Sequence, residues 1–314
     1  MNLREYSLLS KEELIARIQK AKTEKDAILL VHNYQRREVQ EIADFLGDSL
    51  GLAQEASRTT ARMIVFCGVD FMAESAKILN PEKKVLLPDL RADCPMARMI
   101  DAPSLLRAKK KYPDAVVVTY VNSTAAVKAL SDICCTSSNA VRIVQSLKGK
   151  RILFTPDRNL AEYCRQQTGA DLIPWEGHCY VHEQFTVQDV QDAIREHPGA
   201  LFIAHPECRS NVLALADYVT STTGMVRFVK QHLEEIRPRG IIVGTEIGLI
   251  EQLLSMYPGS PIFPLTTSAI CGTQKLTTLP KVAWCIENEA NEITLDEEVR
   301  LQAYTALKRM LEIT

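Results

Sequence analysis

Three of the nine cysteines in this chain recur at a nearly constant spacing. Cys94 in DCPMA, Cys179 in GHCYVH and Cys271 in AICGTQK lie 85 and 92 residues apart. No CxxC pair exists, which excludes zinc ribbons and thioredoxin-like redox motifs; any metal site must gather its thiolates from distant segments. Thiolate sulfur favours zinc or an iron–sulfur cluster. Clusters usually take four cysteines, so three would leave one iron open. An open metal position acts as a Lewis acid on a substrate oxygen, as catalytic zinc does. At this point a cluster, a zinc ion and a site without metal all remain open. Cys67, Cys134, Cys135, Cys164, Cys208 and Cys285 do not keep the phase. They read as core residues, because free cysteine is among the most buried residue types.

Other polar residues keep the same phase. His32 and Tyr34 in HNYQ, Tyr120 and Asn122 in YVNS, and His205 and Glu207 in HPEC each end an apolar run. Spacing by two puts both members of a pair on one face of a strand. Ser49, Ser137 (followed by Ser138 and Asn139) and Ser221 (followed by Thr222) are 88 and 84 residues apart, each ahead of a helical stretch. Ser and Thr cap helices at such positions. Exposed N–H groups at helix starts also attract phosphate or carboxylate. Three such starts aimed at one centre suit a small substrate with several negative groups. Asp70, Asp157 and Glu246, at the ends of a further set of strands, read as caps of the helices that follow.

A repeated frame must position these residues. AILLVHNY, AVVVTYVN and ALFIAHPE are apolar β-type runs, each followed by a short helical stretch and a brief strand, FLGDS, ICCTS or DYVTS. A longer helix, a third strand (MIVFCGVD, RILFTPD, IIVGTE), another helix and a last strand (KVLLPD, DLIPWE, PIFPL) complete each copy. Regular alternation predicts three homologous α/β/α-layered βαβαβαβ units with mainly parallel sheets. The continuous Val/Ile/Leu runs fit strands buried on both faces. We divide the chain at 1–109, with an N-terminal helix and Cys94, 110–193, with Cys179, and 194–314, with Cys271 and the C-terminal helices. Ligands of such sheets bind beyond the carboxyl ends of the strands. The three units are therefore expected to face one another around a pseudo-threefold axis, with the active site at the centre.

Composition narrows the partners. The 314 residues are 46% hydrophobic and 24% charged, with a formal net charge of −2. Acidic and basic residues are mixed, so no basic stripe argues for nucleic acid. No apolar run approaches the roughly 18–20 residues needed to span a bilayer. MNLREYSLLSKEEL is charged and lacks the apolar core of a secretory signal. The expected compartment is the cytoplasm, where an odd set of cysteines stays reduced.

In these residues the sequence resembles the quinolinate synthases, the NadA-type enzymes of de novo NAD biosynthesis. The likeness runs from about Ile28 to Leu311. It rests on HNYQ, EVQEIADFLGDSL, GVDFMAE, DCPMA, YVNSTA, CCTSSNAV, PDRNLAEY, GHCYVH, HPEC, STTGM and GTEIGLI, in the family's order. The resemblance implies condensation of iminoaspartate with dihydroxyacetone phosphate to quinolinate, with loss of phosphate and water. It implies a [4Fe–4S] cluster on Cys94, Cys179 and Cys271, whose open iron serves the late dehydration. By the same match His32, Ser49, Tyr120, Asn122, Ser137, His205, Ser221 and Thr222 bind phosphate and carboxylates. Tyr34 and Glu207 match acid–base residues, and His182 a further polar contact near the cluster. A functional link to an aspartate-oxidising enzyme is also implied. One departure stands out: the family commonly continues Asn-Met-Lys after the third cysteine, whereas this chain reads CGTQK, with Lys275 in place. Two other readings fit the residues alone. One is a zinc-dependent lyase or aldolase acting on a small phosphorylated substrate. The other is a non-catalytic iron–sulfur sensor, which would not need the converging Ser, His and Tyr residues.

Overall fold

The computed structural model describes residues 2–313. Its strands form three separate four-stranded sheets. The first contains β1 (Ala27–His32), β2 (Phe45–Gly47), β3 (Met63–Cys67) and β4 (Lys84–Leu86). β5 (Ala115–Tyr120), β6 (Ile133–Cys135), β7 (Arg151–Thr155) and β8 (Leu172–Pro174) form the second. The third contains β9 (Leu201–Ala204), β10 (Tyr218–Val219), β11 (Ile241–Gly244) and β12 (Ile262–Pro264). All pairings are parallel, and the order is the same each time: β2-β1-β3-β4, β6-β5-β7-β8 and β10-β9-β11-β12. The expected three α/β units are thus present. In each, strand order reverses between the first and third strands, the point where ligand crevices open at the carboxyl ends.

Side chains alternate between two cores, as a strand buried on both faces requires. Leu30, Ile64 and Phe66 point into one core, while Leu29, Val31 and Val65 point into the other. The third sheet repeats this, with Phe202 and Ile242 on one face and Leu201, Ile203 and Val243 on the other. The helix Lys11–Lys25 begins at a capping box made by Ser10 and Glu13, and buries Leu14, Ile18 and Ala21 against the first sheet.

The unit divisions expected at 109/110 and 193/194 fall inside the helices Ala102–Lys111 and Val187–Glu196. Both helices pack on the sheet that follows them: Leu105 against Val117 and Leu153, and Val190 against Phe202 and Ile242. Each unit therefore starts with its own helix, as the first does. The C-terminal helices, assigned to the third unit on sequence order, pack elsewhere. Leu279–Asn288 covers the first sheet through Val282 and Ile286, and Glu297–Glu312 packs on the core shared by the first two units through Ala303, Leu307 and Met310. Their apolar faces find partners where first-unit and second-unit surfaces would otherwise be bare. Among the described residues, no helix is long and apolar enough to cross a membrane.

Candidate active site

The carboxyl ends of the three sheets open onto one cavity with about 620 Å³ of atom-free space, part of it open to solvent. Twelve of the fourteen residues singled out in the sequence line it: His32, Tyr34, Ser49, Cys94, Tyr120, Asn122, Ser137, Cys179, His205, Glu207, Thr222 and Cys271. His182 and Ser221 do not; both are buried in its wall.

Cys94, Cys179 and Cys271 come from three different units. They are the three partly exposed cysteines, whereas the other six are buried. Burial pushes all three thiols up, and the charge on Glu207 adds to this at Cys94 and Cys179. In each unit the backbone amide three residues on pulls the other way: Ala97, His182 and Gln274. The repeat thus extends to the peptide groups around each sulfur. The segment before Cys179 lies close against the end of β7 because Gly177 has no side chain; a Cβ there would lie 2.4 Å from the Pro156 carbonyl oxygen. Three sulfur donors on one partly open wall fit a metal centre with a free position.

Cys179, His182 and Glu207 also cluster, with ligand atoms within 4.8 Å of one another. Their geometry is that of hydrogen bonds. His182 Nδ1 lies 2.7 Å from Glu207 Oε2 and 3.2 Å from Cys179 Sγ. Two ligands of a tetrahedral zinc, each about 2.0–2.1 Å from it, stand roughly 3.3 Å apart. The imidazole and carboxylate are too close to share an ion.

From that contact a hydrogen-bonded chain runs through all three units. Tyr34 Oη meets Thr245 Oγ1 at 2.7 Å, and Thr245 Oγ1 meets His182 Nε2 at 2.9 Å. His182 Nδ1 meets Glu207, and Tyr120 donates its hydroxyl to Glu207 Oε1 at 2.6 Å. Burial alone would raise the Glu207 carboxyl, but the neighbouring imidazoles of His205 and His182 and the hydrogen bond from Tyr120 bring it below its ordinary value. It is a carboxylate at neutral pH. Burial, followed by the charge on Glu207, holds the Tyr34 and Tyr120 phenols well above their ordinary value, so both keep their protons.

The paired residues at the first-strand ends meet through a turn, because the strands stop at His32 and Ala204. The amide of Tyr34 donates to His32 Nδ1 at 3.2 Å, and the amide of Glu207 donates to His205 Nδ1 at 3.4 Å. Both Nδ1 atoms are therefore acceptors, which puts the proton of each neutral ring on Nε2. Burial lowers His32 to about 4 and His205 to about 3, so both rings are neutral. His205 stacks on His182, with centroids 4.5 Å apart. Asn122 adds a buried Oδ1 with no partner among the described residues.

The hydroxyl-rich end differs in detail from the expected caps. Ser221 does cap its helix, accepting from Gly224 N–H at 3.3 Å, but Asp48 rather than Ser49 caps the first. Ser137 lies in a turn ahead of the helix Ala140–Ser146. Asp48, Ser138 and Ser221, one from each unit, bond to each other: Ser138 Oγ to Asp48 Oδ2 at 2.6 Å and to Ser221 Oγ at 2.7 Å, and Ser221 Oγ to Asp48 Oδ2 at 3.2 Å. Asp157 and Glu246 are N-caps, as expected. Asp70 is not: Val69 holds that position, two residues past the end of β3, and the Asp70 carboxylate pairs with Arg98.

Sequence reasoning passed over Asp48, Thr245 and Gln274. Asp48 stands next to an in-phase serine, and Gln274 is the third residue after an in-phase cysteine, so position was their available signal. Thr245 had none: Gly68 and Pro156 hold its place in the other units.

Residues 16–312 match the family model described as Quinolinate synthetase A protein. A quinolinate synthase of Methanosarcina barkeri is 49% identical over 305 residues, covering 97% of this chain and 99% of the relative. A quinolinate synthase of Desulforudis audaxviator is 48% identical over 303 residues, with 96% and 99% covered. Another, from Pyrococcus furiosus, is 47% identical over 305 residues, with 96% and 99% covered. With its three in-phase thiols and its first-strand residues gathered at one cavity, this chain belongs to the quinolinate synthetase A family of enzymes.

Proposed function

We propose that this chain makes quinolinate from iminoaspartate and dihydroxyacetone phosphate, with loss of phosphate and water. The observation that carries the reading is the meeting, in one cavity, of three thiols and three polar pairs drawn from three units. We take Cys94, Cys179 and Cys271 as the ligands of a [4Fe–4S] cluster. Such a cluster, with one iron free of protein ligands, supplies Lewis-acid chemistry on a substrate oxygen. The units are read as related by a pseudo-threefold axis through the cavity, and the free thiols fit a cytoplasmic setting.

The chain's own residues divide the remaining work. His32 and His205 offer neutral Nε2–H donors to substrate oxygens, which are not in competition with a positive charge on the ring. Ser49, Ser137 and Thr222 hydroxyls, with Asn122 and the helix starts at Ser49 and Thr222, suit phosphate and carboxylate. Ser221 acts from behind, through Asp48 and Ser138. Glu207 is the ionised group able to take a proton, and Tyr34 and Tyr120 are protonated phenols able to give one. His182 orients Glu207 and joins it to Tyr34 through Thr245. An enzyme that oxidises aspartate would supply the imine substrate.

Anaerobic incubation of the iron-loaded protein with both substrates should yield quinolinate, and Cys271→Ala should yield none. A colourless protein that binds stoichiometric zinc, or an iron-loaded protein that forms no quinolinate, would refute the reading.

A further inference from the structure

The segment that carries Cys271 is fastened to the first unit. Gln35 Nε2 donates to Gln274 Oε1 at 2.6 Å, and Arg36 Nε donates to the Lys275 carbonyl at 2.8 Å. Lys275 Nζ donates to the Tyr34 carbonyl at 2.7 Å. Beneath this segment lies Glu246, fully buried. One of its carboxylate oxygens accepts from the Cys271 amide at 3.1 Å and the other from the Gly248 amide at 2.7 Å. Lys275 Nζ is 3.1 Å from Glu246 Oε1.

The surroundings are shaped for this pair. A Cβ on Gly248 would stand 2.7 Å from Lys275 Nζ, 2.8 Å from Glu246 Oε2 and 3.0 Å from the Gln35 carbonyl oxygen. The buried Gln40 amide donates to the carbonyls of Asn33, Gln35 and Gly248 at 2.8, 3.0 and 3.1 Å, closing the arrangement from the first unit's side. In the first unit the position corresponding to Glu246 is Val69, which has no acceptor to offer the Cys94 segment. A buried ion pair is a poor source of net stability, since its desolvation offsets its attraction. What directional bonds supply and an apolar pair cannot is a fixed register between two segments.

We propose that the buried Glu246–Lys275 pair is a clasp that holds Cys271 in the cavity wall and locks it to the turn carrying Tyr34. Glu246 and Lys275 are positioning residues; neither lines the cavity. The inference rests on the proposed function in taking Cys271 as a ligand, and the test separates the two.

The metal-free protein is treated anaerobically with iodoacetamide, and the alkylation rate of each cysteine is read by mass spectrometry. In Glu246→Ala and in Gly248→Ala, Cys271 should react roughly tenfold faster, the factor expected for losing one hydrogen bond to a charged group. Cys94 should keep its rate. Gly248→Ala removes neither charge, so it reports on the clasp even if Glu246→Ala folds poorly. Glu246→Gln/Lys275→Met keeps an acceptor for the Cys271 amide but loses the ion pair and the bond to the Tyr34 carbonyl, so its Cys271 rate should lie between wild type and Glu246→Ala. Asp296→Ala removes a remote helix cap and should leave Cys271 unchanged. With the cluster loaded, both single variants should lose iron to a chelator faster by a similar factor. Unchanged Cys271 labelling in both, or equal acceleration at all three thiols, would overturn the clasp. A wild-type protein that takes up no iron would sink the cluster reading instead, while the labelling comparison still decides the clasp.

Discussion

Thr245 offers the sharpest test of the hydrogen-bonded chain, because its role is visible only in the folded protein. Among the described residues its hydroxyl is the one hydrogen-bonded link between Tyr34 and His182, at 2.7 and 2.9 Å, and the residue is 1% exposed. Thr245→Val keeps the shape and removes the hydroxyl. Tyr34 lines the cavity, so water can replace its lost partner, and that bond is worth about 1 kcal/mol. His182 is fully buried, and leaving its Nε2 without a partner costs about 1–3 kcal/mol. The expected destabilisation is therefore about 2–4 kcal/mol. Thr245→Ser keeps the hydroxyl and gives up one methyl group, about 1 kcal/mol. If protons pass between Glu207 and Tyr34 by this route, the valine variant should also lose roughly 10- to 100-fold in kcat, at the low end of what positioned acid–base groups contribute. Its KM should stay near that of the serine variant. The assay is anaerobic quinolinate formation, with iron content measured on the same samples so that cluster loss is not mistaken for slow chemistry. A valine variant that matches the serine variant in kcat and in melting temperature would refute the chain.

Further expected outcomes follow from the other contacts. Cys94→Ala and Cys179→Ala should each abolish iron uptake, whereas Cys164→Ala, in the shared core, should keep it at a cost of about 1 kcal/mol, as measured by iron content and thermal unfolding. Asp48→Ala removes acceptors for Ser138, Ser221 and the Gly51 amide, and should destabilise by about 2–4 kcal/mol in denaturant titration, with Ser138→Ala milder. Asp89 ties the loop before Cys94 to the helix Leu279–Asn288, and bonds from Arg91, then Lys281, hold its carboxyl well below the usual range against the opposing effect of burial. Its folded value is depressed, so its stabilisation is complete above the unfolded value of about 3.9 and is lost as pH falls from there through the folded value. Asp89→Asn should therefore be less stable than wild type at neutral pH, with the difference shrinking in unfolding curves taken below about pH 4.

The repeat was legible because it is written in local patterns. Strand alternation, cap residues and cysteine phase all depend on neighbours close in sequence, and they placed twelve of fourteen residues on the cavity. What was not legible lies between units. Thr245 lacks a polar counterpart in the other two copies, and its partners come from positions 34 and 182. Repeat phase marks Ser49, whereas capping geometry selects the neighbouring Asp48. Asp70 keeps phase in sequence but sits one residue late in the structure, where its carboxylate meets Arg98 and the amide of its neighbour Phe71 rather than capping the helix from outside. The C-terminal helices show the same limit on a larger scale. Their amphipathic pattern demands a partner surface but cannot say which sheet provides it.

The units are held together by two kinds of contact with different consequences for the site. The first and second share one apolar core, in which Leu30, Phe66, Val118 and Phe154 meet Leu307 and Met310. The third unit's two cores are built mainly from its own residues, with Val181 and Phe185 of the second unit buried in one and Tyr34 of the first packed against the other. Near the cavity a set of directional bonds adds to these apolar contacts. Asn33 donates to Thr222 at 2.9 Å, Gln40 reaches the Gly248 carbonyl, and Asn159 donates to the Glu207 carbonyl at 3.0 Å. Apolar burial is non-directional and tolerates small slides, whereas a hydrogen bond weakens steeply outside its narrow range of distance and angle. The chain from Tyr34 to Tyr120 crosses from the first unit to the third, to the second, back to the third and to the second again. Each crossing involves the third unit, so its distances depend on how that unit is seated. Directional bonds concentrated at that seam are what tenths-of-an-ångström placement of Glu207, Thr245 and Cys271 requires, and an apolar interface alone would not provide it.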